Sequence, residues 1–426
     1  MRRGLLAALI GAIACAAPVS AAAAVGPTPY TFLGAPAVFF VFGLILVSIA
    51  VWHRYAMAVS LVGLVLIACY RATIDGVGFI EVARHLAGEW VTLANLLLLL
   101  LGFEILANHF ERSKLPDRLP HLLPGDWTGG LLLLLAVFLT SGLLDNIAAA
   151  VLGGVVARHL YGSRVSIGFL AAIVASANAG GAGSVIGDTT TTLMWLHGVS
   201  PLTVLPAYLA AGVAFLVLGL AGALSQHRFQ PIQGREAPIL AMEPRRLAIM
   251  GFILASAVTA NIVANALSQG EESAPWLGLA LWVAILVSAP FAKPDWSVLG
   301  HAAKGAVFLV ALVAAASVLP VEALPEPSWG STFALGALSS VFDNIPLTAM
   351  ALNQGGYDWA LLAFAVGYGG SMVWFGSSAG VALTNLYPEG RALGAWLRQG
   401  WFVPLGYVAG FFVTLLALGW NGHAPG

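Results

Sequence analysis

The sequence predicts an all-α polytopic membrane protein. It is read as two inverted repeats of five transmembrane helices each, with a re-entrant hairpin and a broken helix in either half. Three observations carry this reading: the composition, the spacing of the apolar runs, and a set of motifs that occurs twice in the same order. Of 426 residues, 59% are hydrophobic and 9% charged, whereas a soluble domain is roughly half apolar and a quarter charged. So little charge cannot coat a water-facing surface. A formal net charge of −1 offers nothing to nucleic acid, and no nucleic-acid partner is expected. Cys15 and Cys69 lie in apolar stretches and build neither a disulfide framework nor a metal cluster.

The chain opens with Met1-Arg2-Arg3, an apolar stretch from Gly4 to Ala17, and small residues from Ser20 to Ala24. This pattern reads as a signal peptide over 1–24, with an uncleaved extra N-terminal helix as the alternative. Apolar stretches follow at Pro36–Trp52, Ala56–Tyr70, Trp90–Asn108, Thr128–Leu160, Val165–Leu196 and Leu202–Leu224. A polar linker runs from Ser225 to Arg246. The pattern resumes at Leu247–Leu267, Trp276–Phe291, Lys304–Leu319, Thr332–Asn353, Trp359–Leu386 and Trp401–Trp420. The first repeat is therefore placed at 30–224, the linker at 225–246 and the second repeat at 247–420. Trp52, Trp90, Trp276 and Trp401, near the ends of stretches, read as interfacial anchors.

Thr128–Leu160 far exceeds the ~20 residues that cross a bilayer. A hairpin with Asp145-Asn146 at its tip fits better, and Asp343-Asn344 marks the same place in the second half. Gly180, Gly181 and Gly187 interrupt the next stretch and match Gly369, Gly370 and Gly376. Such glycine density predicts broken helices with freed backbone in mid-membrane. Five crossings per half invert the second half relative to the first. With the start outside, the cytoplasmic side receives fourteen basic residues, from Arg54 through Arg112, Arg228 and Lys293 to Arg398, while the outside receives Arg71 and Arg84. That asymmetry satisfies the positive-inside rule, with both ends of the mature chain outside and the linker cytoplasmic.

Glu104, Asp145, Asp188 and Asp343 sit in apolar surroundings with no Lys or Arg embedded beside them. Charges within a bilayer are costly, so each calls for a reason. An uncompensated acidic centre suits cations or protons, and hard cations prefer oxygen ligands. Asn146, Asn178, Thr189, Thr190, Asn344, Ser377 and Ser378 supply them. Asp and Asn also cap helices, which accounts for the hairpin tips in part, but Ser or Thr would cap without charge. Glu104, near the end of its span, reads equally as interfacial. Aligning Gly180-Gly181 on Gly369-Gly370 sets Asp188 against Ser377. Asp188 is thus the one asymmetric charge, and a carboxylate that trades a proton for a cation is the minimum that antiport requires. No nucleophile–base pair or His cluster suggests an enzyme, and neither a cofactor nor a resident metal is expected.

Ser176-Ala-Asn-Ala-Gly-Gly-Ala-Gly-Ser-Val-Ile-Gly-Asp-Thr-Thr-Thr-Thr-Leu-Met-Trp195 resembles the signature of NhaD-type sodium/proton antiporters. Leu144-Asp-Asn-Ile147, Phe342-Asp-Asn-Ile-Pro346 and Gly369-Gly-Ser-Met-Val-Trp-Phe-Gly-Ser-Ser-Ala-Gly-Val381 resemble that family's other motifs. The resemblance covers nearly the whole chain after the signal-like segment. It reaches a wider ion transporter superfamily that includes citrate, dicarboxylate and arsenite carriers. It implies a scaffold domain, a mobile transport domain bearing hairpins and broken helices, elevator-like alternating access in an inner membrane, and a homodimer. The implied activity is exchange of Na⁺ or Li⁺ for protons. Gly102-Phe-Glu-Ile-Leu-Ala-Asn-His-Phe-Glu111 also resembles proteins called citrate transporters, so cation-coupled transport of citrate or another organic anion is the alternative. Asp145 and Asp343 stand where dicarboxylate carriers resemble Ser-Asn-Thr, and they would repel a carboxylate.

Overall fold

The computed structural model describes residues 30–32, 35–52, 55–114, 123–162, 164–233, 242–268 and 274–423. The signal-like segment 1–24, with Cys15, lies outside the described residues, as do Arg54, Arg118 and residues 234–241 of the linker. The described chain is helical apart from one antiparallel strand pair, β1 (Thr31–Phe32) and β2 (Ala35–Pro36), which the all-α expectation did not include. It is pinned by the Tyr30 amide, which donates to Asp75.

From residue 37 the helices run α1 (Ala37–Val51), α2 (Ala56–Thr73), α3 (Phe79–Gly88), α4 (Trp90–Arg112), α5 (Trp127–Ser141), α6 (Asn146–Leu160), α7 (Ile167–Gly181), α8 (Thr189–Leu196), α9 (Pro201–Val204) and α10 (Ala207–Phe229). After the linker come α11 (Pro244–Ser268), α12 (Trp276–Ser288), α13 (Leu299–Ser317), α14 (Trp329–Ser339), α15 (Asn344–Gln354), α16 (Trp359–Gly369), α17 (Ser378–Leu386), α18 (Leu393–Gln399) and α19 (Phe402–Leu418). The order of long and short helices recurs: α5–α6 and α14–α15 break at the Asp-Asn pairs, and α7–α8 and α16–α17 break at the glycines.

Among the described residues, Ala56–Thr73, Trp90–Phe110 and Pro201–Phe229 are long and apolar enough to cross a membrane by themselves. α18 and α19 form a fourth candidate, bent by 57° at their junction. α5 and α6 have 15 residues each, so each is only ~22 Å long at 1.5 Å per residue. That falls short of a hydrocarbon core of ~30 Å. Each helix alone is too short to span.

Apolar side chains fill the core and also face outward. On α2, Leu61, Val62, Val65 and Leu66 are exposed while Ser60 is buried. Apolar side chains facing outward need lipid, so the protein is a multi-pass membrane protein. Trp52, Trp90, Trp276 and Trp401 are all exposed at helix ends, as anchors should be. α16, by contrast, is buried along its whole length, and α7 from Gly168 to Gly181. The two broken helices thus form the centre. Around them, Tyr368 donates to the Val403 carbonyl at 3.0 Å and Tyr407 to that of Phe333 at 2.7 Å. At one edge, Arg112 of α4 pairs with Asp295 ahead of α13. The Ser297 hydroxyl and amide and Arg112 hold that carboxyl below the usual range.

The glycines allow this centre to close. A Cβ on Gly180 would overlap the Phe138 carbonyl of α5, and one on Gly369 would overlap the Gly336 carbonyl of α14. Gly187 and Gly376 likewise meet the carbonyls of Ser141 and Ser340. Each broken helix therefore lies backbone-to-backbone on its own hairpin. Gly180→Ala has no soft side chain to displace and should cost about 1–3 kcal/mol through overpacking. Thermal unfolding of the purified protein in detergent should show a melting point several degrees lower. An unchanged melting point would mean that the helices are not in contact there.

Candidate functional site

Four helix N-termini converge at the centre, each capped by a residue singled out in the sequence. Asp145 caps α6 by accepting from the Ile147 amide at 3.2 Å, and Asp343 caps α15 by accepting from Ile345 at 3.2 Å. Asp188 caps α8 through Thr190 at 3.1 Å, and Ser377 caps α17 through Gly380 at 3.3 Å. Asp and Ser are strong N-caps because their side-chain oxygen satisfies an orphan amide. The backbones match as well: φ is −54° at Asp145 and −55° at Asp343, and −140° at Asp188 and −138° at Ser377.

The halves interlock. α6 packs on α17, and α15 packs on α8, so each hairpin meets the broken helix of the other half. Two buried polar chains cross this junction. In one, Asn146 donates to Asn178 at 3.0 Å and Asn178 donates to the Ser371 hydroxyl at 2.9 Å. In the other, the Asn344 amide donates to Asp188 Oδ1 at 3.2 Å and to the Thr190 hydroxyl at 2.8 Å. The Thr189 hydroxyl reaches the same carboxylate oxygen at 3.4 Å. Asp188 is 1% exposed, yet its Oδ2 accepts no hydrogen bond among the described residues. A buried carboxylate oxygen left without a donor is costly unless something else meets it.

Asp343 is less enclosed. Its second oxygen accepts from the Ser378 hydroxyl at 3.2 Å. Both residues line a cavity of about 330 Å³, with Ser377, Trp374 and Asn385 on one wall and Leu46, Ile49, Phe308 and Leu312 of α1 and α13 on the other. Exposed Arg391 lines the same cavity and donates to Asn385 at 2.6 Å. The cavity therefore leads from the surface to Asp343.

The acids lie close enough to feel one another: Asp145 senses Asp188 and Glu104, and Asp188 senses Asp343. None of Asp145, Asp188 and Asp343 takes part in an ion pair among the described residues. The arrangement offers carboxylate, amide, hydroxyl and helix-end oxygens with no basic partner, a donor set for a small hard cation.

The structure thus brings together Asp145, Asn146, Asn178, Asp188, Thr189, Thr190, Asp343, Asn344, Ser377 and Ser378. The remaining Thr hydroxyls act otherwise. Thr191 and Thr192 donate to carbonyls of Ser184, Val185 and Asp188, satisfying freed backbone. Sequence reasoning left out Ser371, Asn385 and Arg391. Ser371 directly follows Gly369-Gly370, and that position was the available signal. Glu104 is exposed on α4, within electrostatic reach of Asp145.

No known family model matches the chain. The Na(+)/H(+) antiporter NhaD of Vibrio parahaemolyticus is 28% identical over 350 residues, 68% of this chain and 82% of that protein. The protein of the same name from Vibrio cholerae serotype O1 is 26% identical over 394 residues, 80% of this chain and 82% of that one. Sodium/proton antiporter 1 of Arabidopsis thaliana is 27% identical over 292 residues, 58% of this chain; the match spans only about half, 49%, of the plant protein. The chain resembles NhaD-type sodium/proton antiporters in sequence.

Proposed function

We propose that the protein is a secondary active transporter that exchanges Na⁺, or Li⁺, for protons across the inner membrane by alternating access. The observation that carries this reading is the buried Asp188 carboxylate. Among the described residues, one of its oxygens is held by Asn344 and Thr190 and the other accepts no bond, in a centre where no basic side chain forms an ion pair with the acids. A carboxylate so placed binds a proton or a cation, and the two compete. The names of the relatives support the same exchange.

Two halves of inverted topology, at 30–224 and 247–420, fit the pairing of their ends. Residues at the ends assigned to the cytoplasmic side by charge meet each other: Arg112 with Asp295, His109 with Arg246, and Leu160 with Gln233. Those assigned outside do the same: Tyr30 with Asp75, and Asp358 with Asn421. On that topology the cavity to Asp343 opens to the cytoplasm. Assembly as a homodimer completes the proposal and rests on the resemblance alone.

Arg391 beside this cavity favours a second reading, cation-coupled uptake of citrate or a similar organic anion, because a guanidinium suits a carboxylate. Proteoliposomes under an imposed pH gradient decide between the two. The expected result is ²²Na⁺ uptake driven by an outward proton gradient, with no uptake of labelled citrate. Citrate accumulation that requires Na⁺ would reverse the assignment.

A further inference from the structure

Gly367 lies in the last turn of α16, buried on all sides. A Cβ built there would stand 2.8 Å from Oδ2 of Asp188, the oxygen that accepts no hydrogen bond. Among the described residues, chain neighbours and local helix backbone aside, the only other heavy atom within 4 Å of that point is Cγ of the same carboxylate. The side of α16 at Gly367 is thus a small cradle with one charged oxygen for a wall.

The repeat indicates why this position matters. The alignment that sets Gly180 on Gly369 sets Asn178 on Gly367. In the first half, Asn178 fills the position and links Asn146 to Ser371. In the second half, Asn344 has no such amide in α16 and donates to Asp188 and Thr190 instead. A side chain absent at 367 therefore coincides with a carboxylate that enters from the other half. One position thus holds a neutral amide bridge, and the other lacks it and faces the carboxylate that the repeat sets against Ser377.

We propose that Gly367 is the size-determining residue of the cation site. Its missing side chain leaves room, between the α16 backbone and Asp188 Oδ2, for one small dehydrated monovalent cation or the proton that replaces it. The proposal rests on the reading of Asp188 as the exchange site. A hard cation gains from an oxygen cage only if its hydration shell can be shed in a space that fits. A methyl group at 367 would intrude on the ion and turn the carboxylate aside, and an Asn would restore the amide bridge of the first half.

The test compares wild type, Gly367→Ala, Gly367→Asn and a control, Gly212→Ala, whose Cβ meets nothing within 4 Å. Two readouts are used: Na⁺- and Li⁺-driven pH change in proteoliposomes, and cation-induced thermal stabilisation of the purified protein. Gly367→Ala should raise the half-saturating Na⁺ concentration at least tenfold and that for the smaller Li⁺ less. Gly367→Asn should lose both responses, and Gly212→Ala should keep both. A folded Gly367→Ala with wild-type half-saturation for both ions overturns the proposal and leaves the exchange reading intact. A wild type with neither exchange nor stabilisation overturns both. If Gly367→Ala does not fold, Asp188→Glu drives the carboxylate into the same space and must raise the half-saturation; wild-type behaviour there overturns the proposal.

Discussion

Asp188→Asn is expected to abolish Na⁺-driven proton movement while leaving the protein folded. The side-chain oxygen that accepts from Thr190 is kept in Asn, so the cap of α8 survives. The Asn344 bridge ends on that same oxygen and survives with it. What changes is Oδ2, where an acceptor that carries charge becomes an amide that can neither release a proton nor hold a cation. Such a variant is locked in a protonated-like state. Ser377→Ala provides the contrast. Its hydroxyl caps Gly380, and removing it costs about 1 kcal/mol of local stability without touching charge, so most exchange should remain. The measurement is interior pH of vesicles on addition of Na⁺ or Li⁺ over a range of external pH. If Asp188→Asn keeps the wild-type response and pH profile, coupling belongs to Asp145, Asp343 or both.

The breaks in the chain were legible because their causes are local. Asp145 and Asp343 begin helices by capping them, Gly181 and Gly370 end them, and the duplicated spacing made these places visible. The pairing of side chains across the halves was not legible, because it depends on how distant elements cross. Nothing in the spacing says that Asn344 reaches Asp188 while its counterpart Asn146 reaches Asn178. That difference accompanies two departures from the repeat, Gly367 for Asn178 and Asp188 for Ser377, and composition and periodicity cannot distinguish Gly367 from a packing glycine. Glu104, near the end of α4, is exposed and lies within electrostatic reach of Asp145, so both readings of it stand. The Thr run is a third case. Hydroxyls good for coordination are equally good for freed carbonyls, and only the geometry assigns Thr191 and Thr192 to the carbonyls.

Removing the charge at either hairpin tip should bring transport down to background. Asp145→Asn and Asp343→Asn each keep the oxygen that caps a helix, through Ile147 and Ile345 respectively. The Ser378 hydroxyl, which donates to Asp343, can rotate to accept from the new amide. Neither variant therefore has a packing reason to unfold. Asp→Ala variants lose the cap as well, at about 0.5–2 kcal/mol each, and should insert in lower yield. The two tips need not fail alike. Asp343 lines the cavity that Arg391 also lines; on the exchange reading an ion entering from the Arg391 side would meet it, so its loss should first appear as weaker binding from that face. Asp145 borders no part of that cavity and lies within electrostatic reach of Asp188 and Glu104, so its loss should alter the charge balance under which Asp188 exchanges. Initial ²²Na⁺ fluxes at several Na⁺ concentrations, imposed from each face of oriented vesicles, separate these effects. Full transport by both Asp→Asn variants would reduce the tips to caps and leave Asp188 as the only charge the exchange uses.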